Sequence, residues 1–143
     1  MKDLFGEVGQ KLELLPRPVQ WWMRWFNALF LLAGVLAIWH VPARWALIAH
    51  LLCFPTGFMV YRYTRDVHLM GLPHLVFWTP LLVYLPTVII RDPGLSIASS
   101  IGIWILLLVP TIAISLVFDV RAMFLYIKHL ARTRRFGIED SPD

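Results

Sequence analysis

Residues 62–94 read RYTRDVHLMGLPHLVFWTPLLVYLPTVIIRDPG. A charged loop comes first, with Arg62, Arg65 and Asp66. A proline-broken apolar run follows, and then a second charged turn at Arg91 and Asp92. An apolar run of about 20 residues matches the thickness of a bilayer crossed by one helix. This pattern places the stretch in a membrane.

The rest of the chain agrees. Of its 143 residues, 59% are hydrophobic and only 15% are charged, and the mean hydropathy is +0.68. A soluble domain is about half apolar and a quarter charged. The charges cluster between long apolar runs, which leaves room for about four spans and no separate soluble domain. The expected fold is an all-α membrane protein. It is a four-transmembrane-helix bundle with an N-terminal interfacial amphipathic helix and a basic amphipathic C-terminal helical extension. Cys53 is the one cysteine, which excludes an intramolecular disulfide and a CxxC motif. No cleavable signal peptide is evident, since the first apolar run begins near Val19 and is long enough to span.

The expected boundaries follow in order, within a single integral membrane domain covering 1–143. Residues 1–18 form the interfacial segment. Leu4, Phe5, Val8, Leu12 and Leu15 make one apolar stripe opposite Asp3, Glu7, Gln10, Lys11 and Glu13. Pro16 and Pro18 end that helix. Spans are expected at about 21–39, 45–63, 72–90 and 97–118. Trp21, Trp22, Trp25 and Trp39 mark the two ends of the first as interfacial rings. Ala33 with Ala37, and Ala98 with Gly102, are small-xxx-small pairs that permit close helix approach. Residues 119–143 form a basic tail. There Val120, Phe124 and Ile127 recur at helical spacing, opposite Arg121, Lys128, Arg132 and Arg135, a face suited to anionic headgroups. The end after Gly137 is expected to be disordered.

Of the 13 Lys and Arg residues, eleven lie before the first span, in the second loop or after the fourth span. Arg44 and Arg91 alone lie in the other two loops. The positive-inside rule then puts both termini in the cytoplasm of a plasma (bacterial inner) membrane. No two-plus-two repeat is established.

Pro55, Pro80, Pro86 and Pro110 fall inside spans, each beside a threonine: Thr56, Thr79, Thr87 and Thr111. Proline frees the carbonyl four residues earlier and kinks the helix. A neighbouring hydroxyl offers a substitute bond. Such kinks serve as hinges or cavity walls, or are simply tolerated.

Candidate ligand or polar-site residues are Asp66, His68, His74, Asn27, His50, Thr79 and Tyr84. His50 and Cys53 share a helix face as two soft ligands, short of the three or four a metal site needs. Asp66, His68 and His74 gather at the cytoplasmic end and would suit proton relay or metal binding. A haem would need axial histidines on facing helices, and His50 has no evident mate. Asp119 is expected to pair with Arg62 or Arg65, and Asp92 with Arg44. No catalytic constellation, cofactor motif or phosphate loop is present, and the basic tail does not point to nucleic acid.

Three function classes follow. The leading one is a non-enzymatic accessory or structural subunit working through helix–helix and lipid contacts. Its partners would be anionic lipid headgroups and a homo-oligomer or larger membrane complex. The second is a small transporter or channel using kinked spans two to four, with Asn27, His50, Thr56, Thr79, Tyr84, Thr87 and Ser115 along its path. The third is a membrane metal or haem carrier using His50, Cys53, His68 and His74.

Overall fold

In the computed structural model, backbone is described for residues 2–92 and 96–136, and side chains for 6–66, 69–92 and 96–128. The described chain is helical throughout, without strands. Its elements are α1 (Lys2–Glu13), α2 (Arg17–Leu36), α3 (Val41–Thr64), a 3-10 turn (Val67–Gly71), α4 (Leu72–Arg91) and α5 (Ser100–Phe136). Three stretches are long and apolar enough to cross a membrane: Val41–Thr64, Leu69–Arg91 and Ser100–Lys128. Helix α2 is not among them, because Arg17, Gln20, Arg24 and Asn27 make its first half polar.

The boundaries differ from expectation for local reasons. Helix α2 begins at Arg17, since Pro18 falls in its first turn, where a missing N–H costs nothing. It ends at Leu36. The guanidinium of Arg44 then covers the exposed carbonyls, donating to Ala37 O (2.7 Å) and Ile38 O (3.0 Å). Pro42 likewise opens α3. The loop expected at 62–71 is shorter. Helix α3 runs to Thr64 and stops at Arg65, whose φ of 57° is left-handed, and the 3-10 turn then leads into α4. Helix α5 has 37 residues, about 56 Å at 1.5 Å per residue. It therefore continues well beyond residue 118 as one helix. On the extension, Val120, Phe124 and Ile127 are exposed, as are Arg121 and Lys128 on its other side. Residues 137–143, where disorder was expected, lie outside the described residues.

Helix α2 packs on α3, α3 on α4, α4 on α5, and α5 back on α2. A stripe of small residues on α3 (Ala43, Ala46, Ala49, Cys53 and Gly57) is buried and lets the neighbours approach. The expected small pairs act differently. Ala33 is buried in the core and Ala37 packs against it, partly buried. Ala98 is exposed. Gly102 is needed by its own leading turn, because a Cβ there would strike Ser96 O and Ile97. The α2–α5 seam is held by indole N–H groups. Trp22 donates to Ser115 Oγ (3.1 Å), Trp25 to Thr111 Oγ1 (3.3 Å) and Trp104 to Leu29 O (2.9 Å). Trp22 and Trp25, expected as interfacial markers, thus bond to another helix, while Trp21 and Trp39 remain exposed.

All four prolines lie inside continuous helices. Their threonines do not replace the lost bonds. Proline frees the carbonyls of Leu51, Val76, Leu82 and Leu106. Thr56 donates instead to Leu52 O and Cys53 O, Thr79 to Leu75 O, Thr87 to Tyr84 O, and Thr111 to Leu107 O. Each hydroxyl satisfies a carbonyl three or four residues before itself, as a helical threonine does anywhere. Pro55, Pro80 and Pro110 face outward, away from any central cavity.

Candidate functional site

Two carboxylates that pair across helices, Glu7 and Asp119, lie at the end of the bundle where α1 sits. Helix α4 starts there with Gly71 at its N-cap, Pro73 in its first turn and no side-chain cap. Its first-turn N–H groups carry the positive end of the helix dipole. Asp119 of α5 brings its carboxylate to this point. One oxygen, Oδ2, lies 2.9 Å from His74 Nδ1. The other, Oδ1, occupies the space a Cβ on Gly71 would need. Only glycine admits the carboxylate here. The contact is a hydrogen bond from His74 in the tautomer that carries its proton on Nδ1. Both side chains are shielded, His74 at 26% and Asp119 at 15% exposure.

His74 also opens a column of rings through the core. It stacks on Trp78 at 3.6 Å with an interplanar angle of 10°. Trp78 stacks on Phe26 at 4.4 Å. Phe26 meets Phe30 at 4.7 Å, and Phe30 stacks on His50 at 4.1 Å. Helices α2, α3 and α4 each contribute, so the column ties three helices into one apolar wall. Within it, His50 Nδ1 and Trp78 Nε1 are buried and have no hydrogen-bond partner among the described residues. Such groups are a local cost.

A second clasp holds α1. Tyr61, fully buried at the end of α3, donates its hydroxyl to Glu7 Oε1 at 2.6 Å. Glu7 also pairs with Arg65 at 3.3 Å and with Lys11 at 3.1 Å, and the Lys11 ammonium lies over the Tyr61 ring at 5.1 Å. The Tyr61 hydroxyl and then Lys11 hold the Glu7 carboxyl below its ordinary value. Tyr61 and then Glu7 raise Lys11 above its own. Val8, one residue on, is buried beneath the helix.

These contacts re-pair the charges. Asp119 was expected with Arg62 or Arg65, but it bonds His74, and Arg65 reaches Glu7. The reason is position: Arg65 turns out of α3 through its left-handed conformation toward α1, whereas Asp119 faces the start of α4. Arg44, expected on Asp92, covers the C-terminal carbonyls of α2. Of the expected cluster, His74 is central to the site. Asp66 lies in the turn after α3, where its N–H donates to Thr64 Oγ1, and it makes further contacts of its own. The His68 side chain lies outside the described residues. Asn27 donates to Met23 O on its own helix. Tyr84 lines an outward-facing apolar groove of about 460 Å³ between α3 and α4, beside Trp45, Phe77 and Pro80. The proposed polar path therefore does not assemble. Among the described residues no three His, Cys, Asp or Glu side chains converge as a metal site would require.

Glu7, Tyr61 and Gly71 were not singled out from the sequence. The pair Glu7 and Lys11, four apart on an amphipathic helix, was the available signal for the first. Gly71 just before Leu72-Pro73 was the signal for a tight helix start. No protein-family profile matches the chain, and no curated protein or solved structure is similar to it.

Proposed function

We propose that the protein is a non-enzymatic integral membrane protein of a bacterial inner membrane. In this reading it serves as an accessory or structural subunit through its helix and lipid contacts. One observation carries the reading: the space between the helices is filled by stacked rings and small residues. The candidate polar side chains bond within their own helix, as Asn27, Thr56, Thr79 and Thr87 do, or tie one helix to the next, as Ser115 does. Among the described residues these side chains form no hydrophilic route, which speaks against a conduit.

In this reading α2 is a fourth span beside the three apolar ones, its polar first half lying among headgroups. Both termini are cytoplasmic, as the distribution of Lys and Arg favours. The exposed apolar surfaces of α3, α4 and α5 then meet lipid or the helices of a larger assembly, and the basic extension of α5 meets anionic headgroups.

Reconstitution tests this. Proteoliposomes are expected to hold ion and solute gradients as long as protein-free vesicles do, and mild detergent should extract the chain as part of a larger assembly. Sustained solute or ion flux through the purified chain overturns the reading. A reporter fused after Asp143 should be active on the cytoplasmic side, and activity on the other side overturns the topology.

A further inference from the structure

We propose that the elbow between α1 and α2 binds the headgroup of a zwitterionic aminophospholipid, with the phosphate on Arg24 and the primary ammonium on Glu13. The proposal rests on the membrane reading above.

The elbow borders an open recess of about 220 Å³ lined by Leu12, Glu13, Gln20, Met23, Arg24 and Asn27. Its two charges are opposite, yet among the described residues no ion pair joins them or ties either to another side chain. A cation and an anion facing one opening without neutralising each other suit a ligand that carries both signs. A phosphate and an ammonium joined by a two-carbon link form such a ligand.

The walls are preformed. The Gln20 amide donates to Glu13 O (2.8 Å) and Leu15 O (2.9 Å), which fixes the bend and leaves its Oε1 as an acceptor. Asn27 donates to Met23 O at 2.8 Å, which leaves its own oxygen as an acceptor. Arg24 lies over the Trp21 ring at 5.4 Å, which orients a guanidinium suited to bidentate phosphate binding. Leu12 and Met23 supply apolar wall for the glycerol and first methylenes.

The depth also fits. The recess lies where an amphipathic helix with buried Val8 meets a tryptophan-rich helix start, which is the level of headgroups. The acceptors explain the choice of amine. A trimethylammonium group has no N–H to give to Glu13, Gln20 or Asn27, and a headgroup with phosphate alone brings a negative charge toward Glu13.

The test uses the full chain in detergent, titrated with phosphatidylethanolamine, phosphatidylglycerol and phosphatidylcholine of one acyl composition, with native mass spectrometry counting retained lipids. Phosphatidylethanolamine should be retained about tenfold better than either other lipid, roughly the worth of one charge-assisted contact. R24Q should lower its retention to the level of phosphatidylcholine. E13Q should bring it level with phosphatidylglycerol. Both side chains project from helix surfaces without bonds to other helices, and unchanged thermal melts should confirm that both variants fold. Equal retention of the three lipids, or variants that bind like the parent, overturns the proposal. So does displacement by soluble O-phosphoethanolamine at concentrations matching the lipid, which would assign the site to a free phosphoamine. A chain that washes off membranes with carbonate refutes the membrane reading. One that stays embedded without headgroup preference refutes only this inference.

Discussion

The two ends of the helix bundle are fastened by different chemistry. At the α1 end Glu7 pairs with Lys11 and Arg65, and His74 with Asp119. At the other end Arg44 and two serines bond to backbone groups. Arg44 donates to Ala37 and Ile38 carbonyls, and Ser99 donates to Ser96 O at 2.6 Å while its Oγ accepts from Gly102 N–H. Bonds to carbonyls are indifferent to carboxylate protonation, whereas carboxylate pairs respond to pH and salt. The carboxylate pairs at the α1 end should therefore respond to solution conditions, and the Arg44 bonds to carbonyls should not.

The largest test of that contrast is Gly71→Ala. The added methyl overlaps Asp119 Oδ1, so the carboxylate must leave its place and the pair to His74 breaks. A loss of about 3–5 kcal/mol is expected in unfolding from detergent micelles, and a loss under 1 kcal/mol would show that α4 and α5 are joined elsewhere. Asp119→Asn keeps the volume but removes the charge. It should cost about 2–3 kcal/mol and make the remaining stability less sensitive to salt. Arg44→Ala, at the opposite end, removes two carbonyl bonds and should cost about 1–2 kcal/mol. That loss should be the same at high and low salt, and a salt-dependent loss would erase the contrast.

The smallest effect concerns the α1 clasp and pH. The Glu7 carboxyl is held below its ordinary value in the folded chain. Its contribution is therefore complete above the ordinary glutamate range, near pH 4.3. It falls away as pH drops through the lowered folded value. Protection of α1 amides from hydrogen exchange should follow that fall, and Glu7→Gln should remove the pH dependence.

Much of the architecture was legible because it depends on composition and local order. Apolar run lengths gave four expected spans, three of which fall on helices long and apolar enough to cross a membrane; prolines at 16 and 18 separated α1 from α2, and the absence of breakers from Asp119 to Arg135 foretold the long helix. The polar partnerships were not legible. Asp119 and Arg65 both lie near one end of the bundle, so charge alone suggested a pair. What decided otherwise was rotation: a left-handed residue at 65 and an uncapped helix start at 72 are properties of backbone direction, which residue spacing does not carry. His74 could be singled out as polar and misplaced in an apolar run, but its partner came from 45 residues away. The threonines beside the prolines misled for a related reason. Adjacency in sequence implied repair of the broken bond, while helix geometry sends each hydroxyl to its own earlier carbonyl.

The length of α5 has a mechanical consequence. At about 56 Å it is nearly twice the roughly 30 Å hydrocarbon thickness of a bilayer. The contact of Asp119 with Gly71 and His74 then acts as a fulcrum, with about 25 Å of rigid rod from Asp119 to Phe136 on one side. A tilt of about 10° around that point would swing the tip by about 4 Å, given that rod length. Anything gripping the tip has leverage on the fit of α5 against α4, and a change in that fit is magnified at the tip.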